Sequence, residues 1–341
     1  MNYQTGVVED PRPKKEKKKD WNADELLAGA PVIRWEEKKK WKKYTERNQK
    51  STYTCVAQTV SKLLEVNEKK ETGQTVVFSA SKPYAERTNT GAGSWLQEML
   101  KYAVDPAYYT TEKEMVSQFL SSDAEMEKIA KEWNGNCAKI AKKYAGKSYL
   151  TVNTDIDSIA YWVSRGYGVS ILIYATYKEW SLKYPKIKDN VSLVNAPIRH
   201  AIAVVDYGLR NGKKYLKIED SAHFGGRSER WINEEFVNKR CYGAGFVFDK
   251  PNEEIELIPY FEFKTNLFYG MRNNPDVVEL QKKLKVLGFF PEAIPCTGNF
   301  LEITRQAVEK YQRFYKVASE WELNVVRGKI VGIKTRNKLN E

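Results

Sequence analysis

The stretch from His200 to Ser221, HAIAVVDYGLRNGKKYLKIEDS, constrains the fold more than any other part of the chain. Two apolar-rich runs flank Asn211-Gly212, a dipeptide suited to the positive backbone angles of a tight hairpin turn. The runs HAIAVVDYG and KKYLKIEDS are therefore predicted to be adjacent antiparallel strands. His200 opens the first and Asp220 lies near the end of the second, so the hairpin brings their side chains together. VSILIYA, from Val169, predicts a buried strand, and GAGFVFD, from Gly243, another. Helical spacing dominates earlier. In CVAQTVSKLLEVNEKKE, Val56, Val60, Leu63 and Leu64 share a face. SWLQEMLKYAV predicts a helix with Ser94 as its N-cap. A third helix is predicted from Thr154 to the glycines at 166 and 168. A helical first half thus precedes a strand-rich second half, the order of an α+β fold.

The chain has 341 residues, room for two domains. No apolar run approaches the ~18 residues of a membrane helix. The N-terminus, MNYQTGVVEDPRPKKEKKKD, lacks the apolar core of a secretory signal, so the chain is expected either to stay where it is made or to leave by lysis or in a larger particle. A net charge of +12 suits a nucleic acid, an anionic lipid face or an acidic wall, and equally serves solubility. No specific nucleic-acid motif is present. Lys14, Lys15, Lys17, Lys18 and Lys19 are read as part of a disordered arm. In the segment that follows, Trp21, Trp35 and Trp41 are expected to pack across the main domain.

The cysteines, Cys55, Cys137, Cys241 and Cys296, are far apart and form no CxxC pair, which argues against zinc. Cys137, Cys241 and Cys296 are read as structural, with a bridge between two of the four left open. Cys55 is different. In NQKSTYTCVAQ it opens a helix, whose partial positive charge favours the thiolate that a nucleophile needs. The chain offers only two imidazoles to activate it, His200 and His223. His223 is read as a loop residue. A carboxylate from Asp220 on one nitrogen of His200 would leave the other facing the sulfur. The amide of Gln49 and the Cys55 backbone N–H are candidate oxyanion donors.

This set, in this order, resembles the papain-like cysteine peptidases. Gln49 precedes Cys55 by six residues. RHAIAVVDYG matches the histidine strand, and YLKIEDSAHFGG stands where the family has a strand ending in Asn-Ser-Trp before a glycine-containing loop. NTGAGSW lies where the family's glycine-rich loop pairs with extended substrate, so Gly91 and Gly93 are candidate substrate-binding positions. The resemblance implies a helical lobe and an antiparallel β lobe over residues 45–250, with Cys55 as nucleophile, His200 as base and then acid, Asp220 orienting the imidazole, and Gln49 as oxyanion donor. Three departures stand out. No Cys-Gly-Ser-Cys-Trp box surrounds Cys55, Asp220 replaces asparagine, and Ala222 replaces the tryptophan that shields it.

After a linker, 251–273, residues 274–341 resemble the small three-helix peptidoglycan-binding domain of wall hydrolases. The matching features are Val277, Leu280, Gln281, Leu284 and Leu287-Gly288-Phe289, then Thr297-Gly298-Asn299-Phe300, then Thr304, Ala307, Val308, Tyr311 and Gln312-Arg313-Phe314, with Gly328 and Thr335 near a closing helix. ASEWELNVVRGKIV is longer than the usual turn there. The pairing implies a cysteine endopeptidase directed at bacterial wall by residues 274–341, in the manner of a phage lysin or virion-borne lytic enzyme. It would need no metal or organic cofactor and would take a peptide or protein substrate. Two alternatives stay open: a protein-processing protease that docks through the C-terminal module, and a non-catalytic virion or adhesion protein retaining the fold. The basic arm, 1–44, is short for a folded inhibitory domain, and its role as a propeptide is left open.

Overall fold

A computed structural model describes residues 6–17, 20, 22–23, 33–248, 261–287, 289–291 and 294–340. The chain divides into two compact units. The first comprises 1–23 and 35–251, the second 24–34 and 252–341.

The first unit is built on a six-stranded antiparallel sheet: β1 (Ser148–Thr151), β2 (Val169–Ala175), β3 (Ile198–Arg210), β4 (Lys213–Glu219), β5 (Glu229–Asn233) and β6 (Cys241–Phe248), in the order β1-β6-β2-β3-β4-β5. The predicted hairpin is β3–β4. Asn211 and Gly212 take φ of 52° and 70°, the two positive angles that a tight hairpin turn requires. β1 and β5 are additions. At four and five residues they are too short to show alternation in the sequence.

A long helix, Cys55–Thr72, packs its predicted apolar face with the helix Leu96–Ala103 and with one face of the sheet. Val56, Val60, Leu63 and Leu64 share a core with Met99, Leu100, Leu172, Ala201, Ala203 and Val205. Elsewhere in the sheet unit, Trp162 of helix Ile156–Ser164 stacks on Phe246 at 4.7 Å. That helix starts two residues beyond Thr154 because Asp155 caps it through Ser158 N. Ser94 is not the cap of its helix. Trp95 holds that position, while the backbone N–H and C=O of Ser94 are spent on a parallel bridge to Gly6 and Val8. That bridge also shows that part of the expected disordered arm is ordered. Trp21 lies outside the described residues. Trp35 donates to Asp157 and meets Tyr207 edge-on, and Trp41 meets Trp231, so both tie the later part of the arm to the sheet unit.

The second unit contains the three predicted helices, Pro275–Val286, Glu302–Phe314 and Ile333–Asn340. Val277, Leu280, Leu284, Ala307, Val308, Tyr311 and Leu339 form its core with Phe290 and Phe300. The longer turn is a helix too. Glu320–Val326 opens on a capping box from Ser319 and Glu322. Leu267–Phe268 and Ile330–Val331 add a two-stranded ladder. The polar positions that carried the resemblance are structural ties. Gln281 bonds Thr304 and Gly298, and Gln312 bonds Thr335 and the carbonyl of Ile330. Gly288 lies outside the described residues.

Phe246 is fully buried between Trp162 and Tyr167. Phe246→Ala is expected to destabilise the first unit by about 3–5 kcal/mol, from lost burial and the cavity left behind. A shift of that size in the urea midpoint of the first unit checks it; a change under 1 kcal/mol would mean that this cluster carries little of the unit's stability.

Candidate functional site

Cys55 is the first residue of the long helix and is completely buried. The preceding turn is closed by Thr52, whose N–H and Oγ1 both donate to the carbonyl of Gln49. The first N–H groups of a helix have no partner within it, so positive potential gathers where the sulfur sits.

His200 enters from β3, paired with Ile173 of β2, and Asp220 follows the last residue of β4. As the hairpin predicts, they meet. His200 Nε2 and Asp220 Oδ1 are 2.7 Å apart, and both side chains are fully buried. The other ring nitrogen, Nδ1, is also buried and makes no full hydrogen bond, but Cys55 is close enough to help raise the imidazole's pKa. Burial alone would push that pKa down. Asp220, by charge and hydrogen bond, and Cys55 outweigh it and lift it to about 9.

The Asp220 carboxylate accepts four hydrogen bonds. Oδ1 accepts from His200 and from the N–H of Ala222 at 2.8 Å, while Oδ2 accepts from Trp180 Nε1 at 3.0 Å and Arg230 Nη1 at 2.5 Å. Burial disfavours its charge, but His200, Arg230 and these bonds hold it far below the usual carboxylate range. The sequence gives no sign of Trp180 or Arg230 in this place. The tryptophan missing at 222 is replaced, from a different element, by Trp180 at the end of a four-residue helix. An ion in a protein interior needs a counter-ion, and the structure supplies Arg230 for the buried Asp220.

Gln49 lies beside the same loop. Its N–H donates to the carbonyl of Ser221 at 2.9 Å, its Oε1 accepts from Ser221 Oγ at 2.7 Å, and its Nε2 donates to Thr52 O at 2.8 Å. His223 is a left-handed loop residue whose Nε2 lies 2.7 Å from the carbonyl of Arg47. All four cysteines are free thiols, and burial pushes Cys241 up to about 12. Among the described residues no cluster of ligands could hold a metal ion, and no helix is long and apolar enough to cross a membrane.

The arm reaches the sulfur. Gly6 N donates to Cys55 Sγ at 3.3 Å, Val8 N donates to Ser94 O, and Ser94 N donates to Gly6 O. Val7 is buried in the core beside Cys55. Asp10 and Asp20 grip Arg12, which lies over the Trp95 ring. The fit is tight. A Cβ on Gly6 would lie 1.7 Å from Tyr53 O, and one on Gly93, at φ 88°, would lie 2.5 Å from Gly6 O. Gly93 thus permits the close backbone approach expected of it. Gly91 has room for a side chain, and its carbonyl instead accepts from Arg87 and Asn89. The arm covers the thiol and offers it the N–H of Gly6.

Comparison with known proteins agrees with this architecture. Residues 273–319 match the family described as "Putative peptidoglycan binding domain". No curated protein matches the sequence. Among solved structures, xylellain, a cysteine protease from Xylella fastidiosa, superposes with a TM-score of 0.54 at 16% identity, covering 73% of this chain and 98% of that one. Digestive procathepsin L 3 of Tenebrio molitor larval midgut gives 0.49 at 15% identity, covering 66% and 77%. The bromelain protease of Ananas comosus gives 0.48 at 15%, covering 60% and 94%.

Two outcomes are expected. His200 remains protonated until the pH passes about 9. A thiolate paired with that imidazolium should therefore keep its reactivity through neutral pH and lose the pairing above that value. The rate of Cys55 alkylation by iodoacetamide against pH checks this; a limb near the ordinary imidazole value of about 6.5 would contradict it. Gly6→Ala, which drives a methyl into Tyr53 O, should expel the arm. It should raise the alkylation rate of Cys55 about tenfold or more, equivalent to some 1.4 kcal/mol of lost arm binding. An unchanged rate would mean that the arm does not shield the sulfur. The first unit has the papain-like fold, helices packed with an antiparallel sheet, and it is joined in one chain to a peptidoglycan-binding-like helical module.

Proposed function

We propose that the chain is a cysteine endopeptidase that cleaves amide bonds in or attached to the bacterial cell wall. The observation that carries the reading is the 2.7 Å bond from His200 to Asp220, with the second imidazole nitrogen on the side of a cysteine at a helix start. A protein that only kept the fold would have no reason to bury this trio of ionisable groups, which is costly unless each is paired.

In the proposed mechanism the Cys55 thiolate attacks the carbonyl carbon of the scissile amide. The Cys55 N–H and the amide of Gln49 stabilise the oxyanion that forms. The His200 imidazolium gives its proton to the leaving amine as the C–N bond breaks, leaving a thioester. The neutral imidazole then takes a proton from water, whose oxygen attacks the thioester. A carboxylic acid leaves and the thiol–imidazole pair is restored. Asp220 keeps the ring in one tautomer and orientation throughout. Gly93 and Ser94 present the backbone edge to which extended substrate would pair, the edge that Gly6–Val8 occupies.

The wall as target rests on the second unit. Its likeness to a peptidoglycan-binding domain supplies a tether, and a tether raises the local concentration of enzyme at its substrate. The +12 charge favours the same anionic surface. Such an enzyme would meet wall after lysis or as part of a virion.

Purified cell wall incubated with the protein should release new amino groups, and mass spectrometry should identify cleaved wall peptides. Cys55→Ala should reduce release to the uncatalysed background. Release from denatured protein but never from wall would overturn the wall as target. No release from either, with the arm displaced by Gly6→Ala, would overturn the peptidase itself.

A further inference from the structure

We infer that Arg230 is the permanent counter-ion of the site, the positioning residue that lets a carboxylate stand where an amide would otherwise orient the imidazole. The inference rests on the reading of Cys55, His200 and Asp220 given above and adds a group to it.

The geometry divides the carboxylate in two. One oxygen, Oδ1, serves His200. The other, Oδ2, is held by Arg230 Nη1 at 2.5 Å and by Trp180 Nε1 at 3.0 Å. Arg230 has no exposed surface, and neither has Asp220. The guanidinium is itself fixed: Nε donates to Trp180 O at 2.7 Å, Nη1 also donates to Arg227 O at 3.0 Å, and Nη2 donates to Phe224 O. Its plane lies over the Trp180 ring at 4.8 Å. Phe224, whose carbonyl it holds, packs its ring edge-on against His200 at 5.7 Å. Arg230 thus fixes the carboxylate directly and the loop beside the imidazole indirectly.

The charge count gives the reason. With thiol and imidazole neutral, Asp220 and Arg230 cancel. With thiolate and imidazolium formed, the four charges again cancel. Transfer of the proton therefore leaves the net charge of a buried site at zero in both states. Without Arg230, Asp220 would be a solitary buried anion whenever His200 was neutral, a state a protein interior strongly disfavours. A neutral asparagine would need no such partner. Tyr242 of β6, whose phenol is raised by burial and then by Cys55, carries no positive charge and cannot take over from Arg230. Lys43, Arg47, Lys62, Lys183 and Arg227 line the cavity beside Asp220, but its carboxylate oxygens bond only Arg230 among the described basic side chains, besides the imidazole of His200.

The test is a double-mutant cycle on the full chain: Arg230→Met, Asp220→Asn and both together, with Arg230→Lys as the conservative variant. The readouts are the thermal transition and the iodoacetamide rate of Cys55 across pH, neither of which needs a substrate. Asp220→Asn alone strands a buried guanidinium, and Arg230→Met alone strands a buried carboxylate. Each should slow alkylation at neutral pH roughly 100-fold or prevent folding. Arg230→Met that folds should move the alkaline limb upward, because the imidazolium becomes the only counter-ion of Asp220. Arg230→Lys should keep the limb in place. The double variant is neutral, and should fold, alkylate at least about tenfold faster than either single variant, and show a limb lowered towards the ordinary imidazole range. Losses that multiply in the double variant, or a double variant that fails to fold, would overturn the counter-ion role and leave Arg230 a backbone tie. If Cys55 of the unaltered protein reacts no faster than a free thiol, the site reading itself fails. A reactive Cys55 with multiplying losses removes only the role of Arg230.

Discussion

The site depends on one ion that water cannot reach. Asp220 is buried to the last atom, and a solitary carboxylate in that position would cost several kcal/mol. Four donors from four places in the chain make it tolerable: His200 on β3, Ala222 in the following loop, Arg230 on β5 and Trp180 at the end of a short helix. Removing any one of them lowers the number of bonds the charge can make, so the four elements are held to one another through a single group. The six-stranded order follows the same logic. β3, β4 and β5 are consecutive neighbours, and that adjacency delivers His200, Asp220 and Arg230 to one spot.

The sulfur is brought to this cluster by a second constraint, the helix that begins at Cys55. Its apolar face packs with the sheet residues Ala201, Ala203 and Val205, the strand positions that alternate with His200 and Ile202. A helix fixed along the sheet by Leu63, Leu64 and Val60 has no freedom to withdraw its first residue from the strand that carries the imidazole. Small side chains at 201 and 203 allow the close approach. One alternating strand thus serves both purposes: its odd positions 201, 203 and 205 seat the helix, and its even position 200 carries the ring.

Much of this was legible in the sequence because it is local. A helix period from Val56 to Leu64, a two-residue turn at Asn211-Gly212 and a strand opening with His200 are short-range signals; the structure has the helix and the turn, and it has the strand beginning two residues earlier, at Ile198. From the hairpin alone the meeting of His200 and Asp220 could be derived. Illegible features depend on contacts between distant segments. Trp180 and Arg230 sit 40 and 10 residues from Asp220, in a four-residue helix and a five-residue strand too short to carry a period. The ordered arm is a third case. Its composition is that of a solvated tail, and only the clearance between Tyr53, Gly6 and Gly93 makes a place for it. The misread cap at Ser94 has the same origin, since its backbone groups pair with a segment nearly ninety residues away.

That arm holds the sulfur by few bonds, which sets the scale of its effect. Val7 is its main buried side chain, worth roughly 1.5–3 kcal/mol at the usual value of apolar burial. The two backbone bonds to Ser94 add about 0.5–1.5 kcal/mol each, since they replace bonds to water. The ion pairs of Arg12 are partly exposed and contribute little more. A hold of a few kcal/mol is enough to keep a tethered segment over the thiol nearly all the time. It is also small enough for an extended peptide, offering a comparable side chain and the same pair of backbone bonds, to compete for the edge at Ser94. The contact to Sγ works in the same direction in both states, because an N–H donated to sulfur is stronger when the sulfur is charged. The arm therefore covers the Cys55 thiol through a contact that favours its charged form, and leaves the imidazole–carboxylate pair intact.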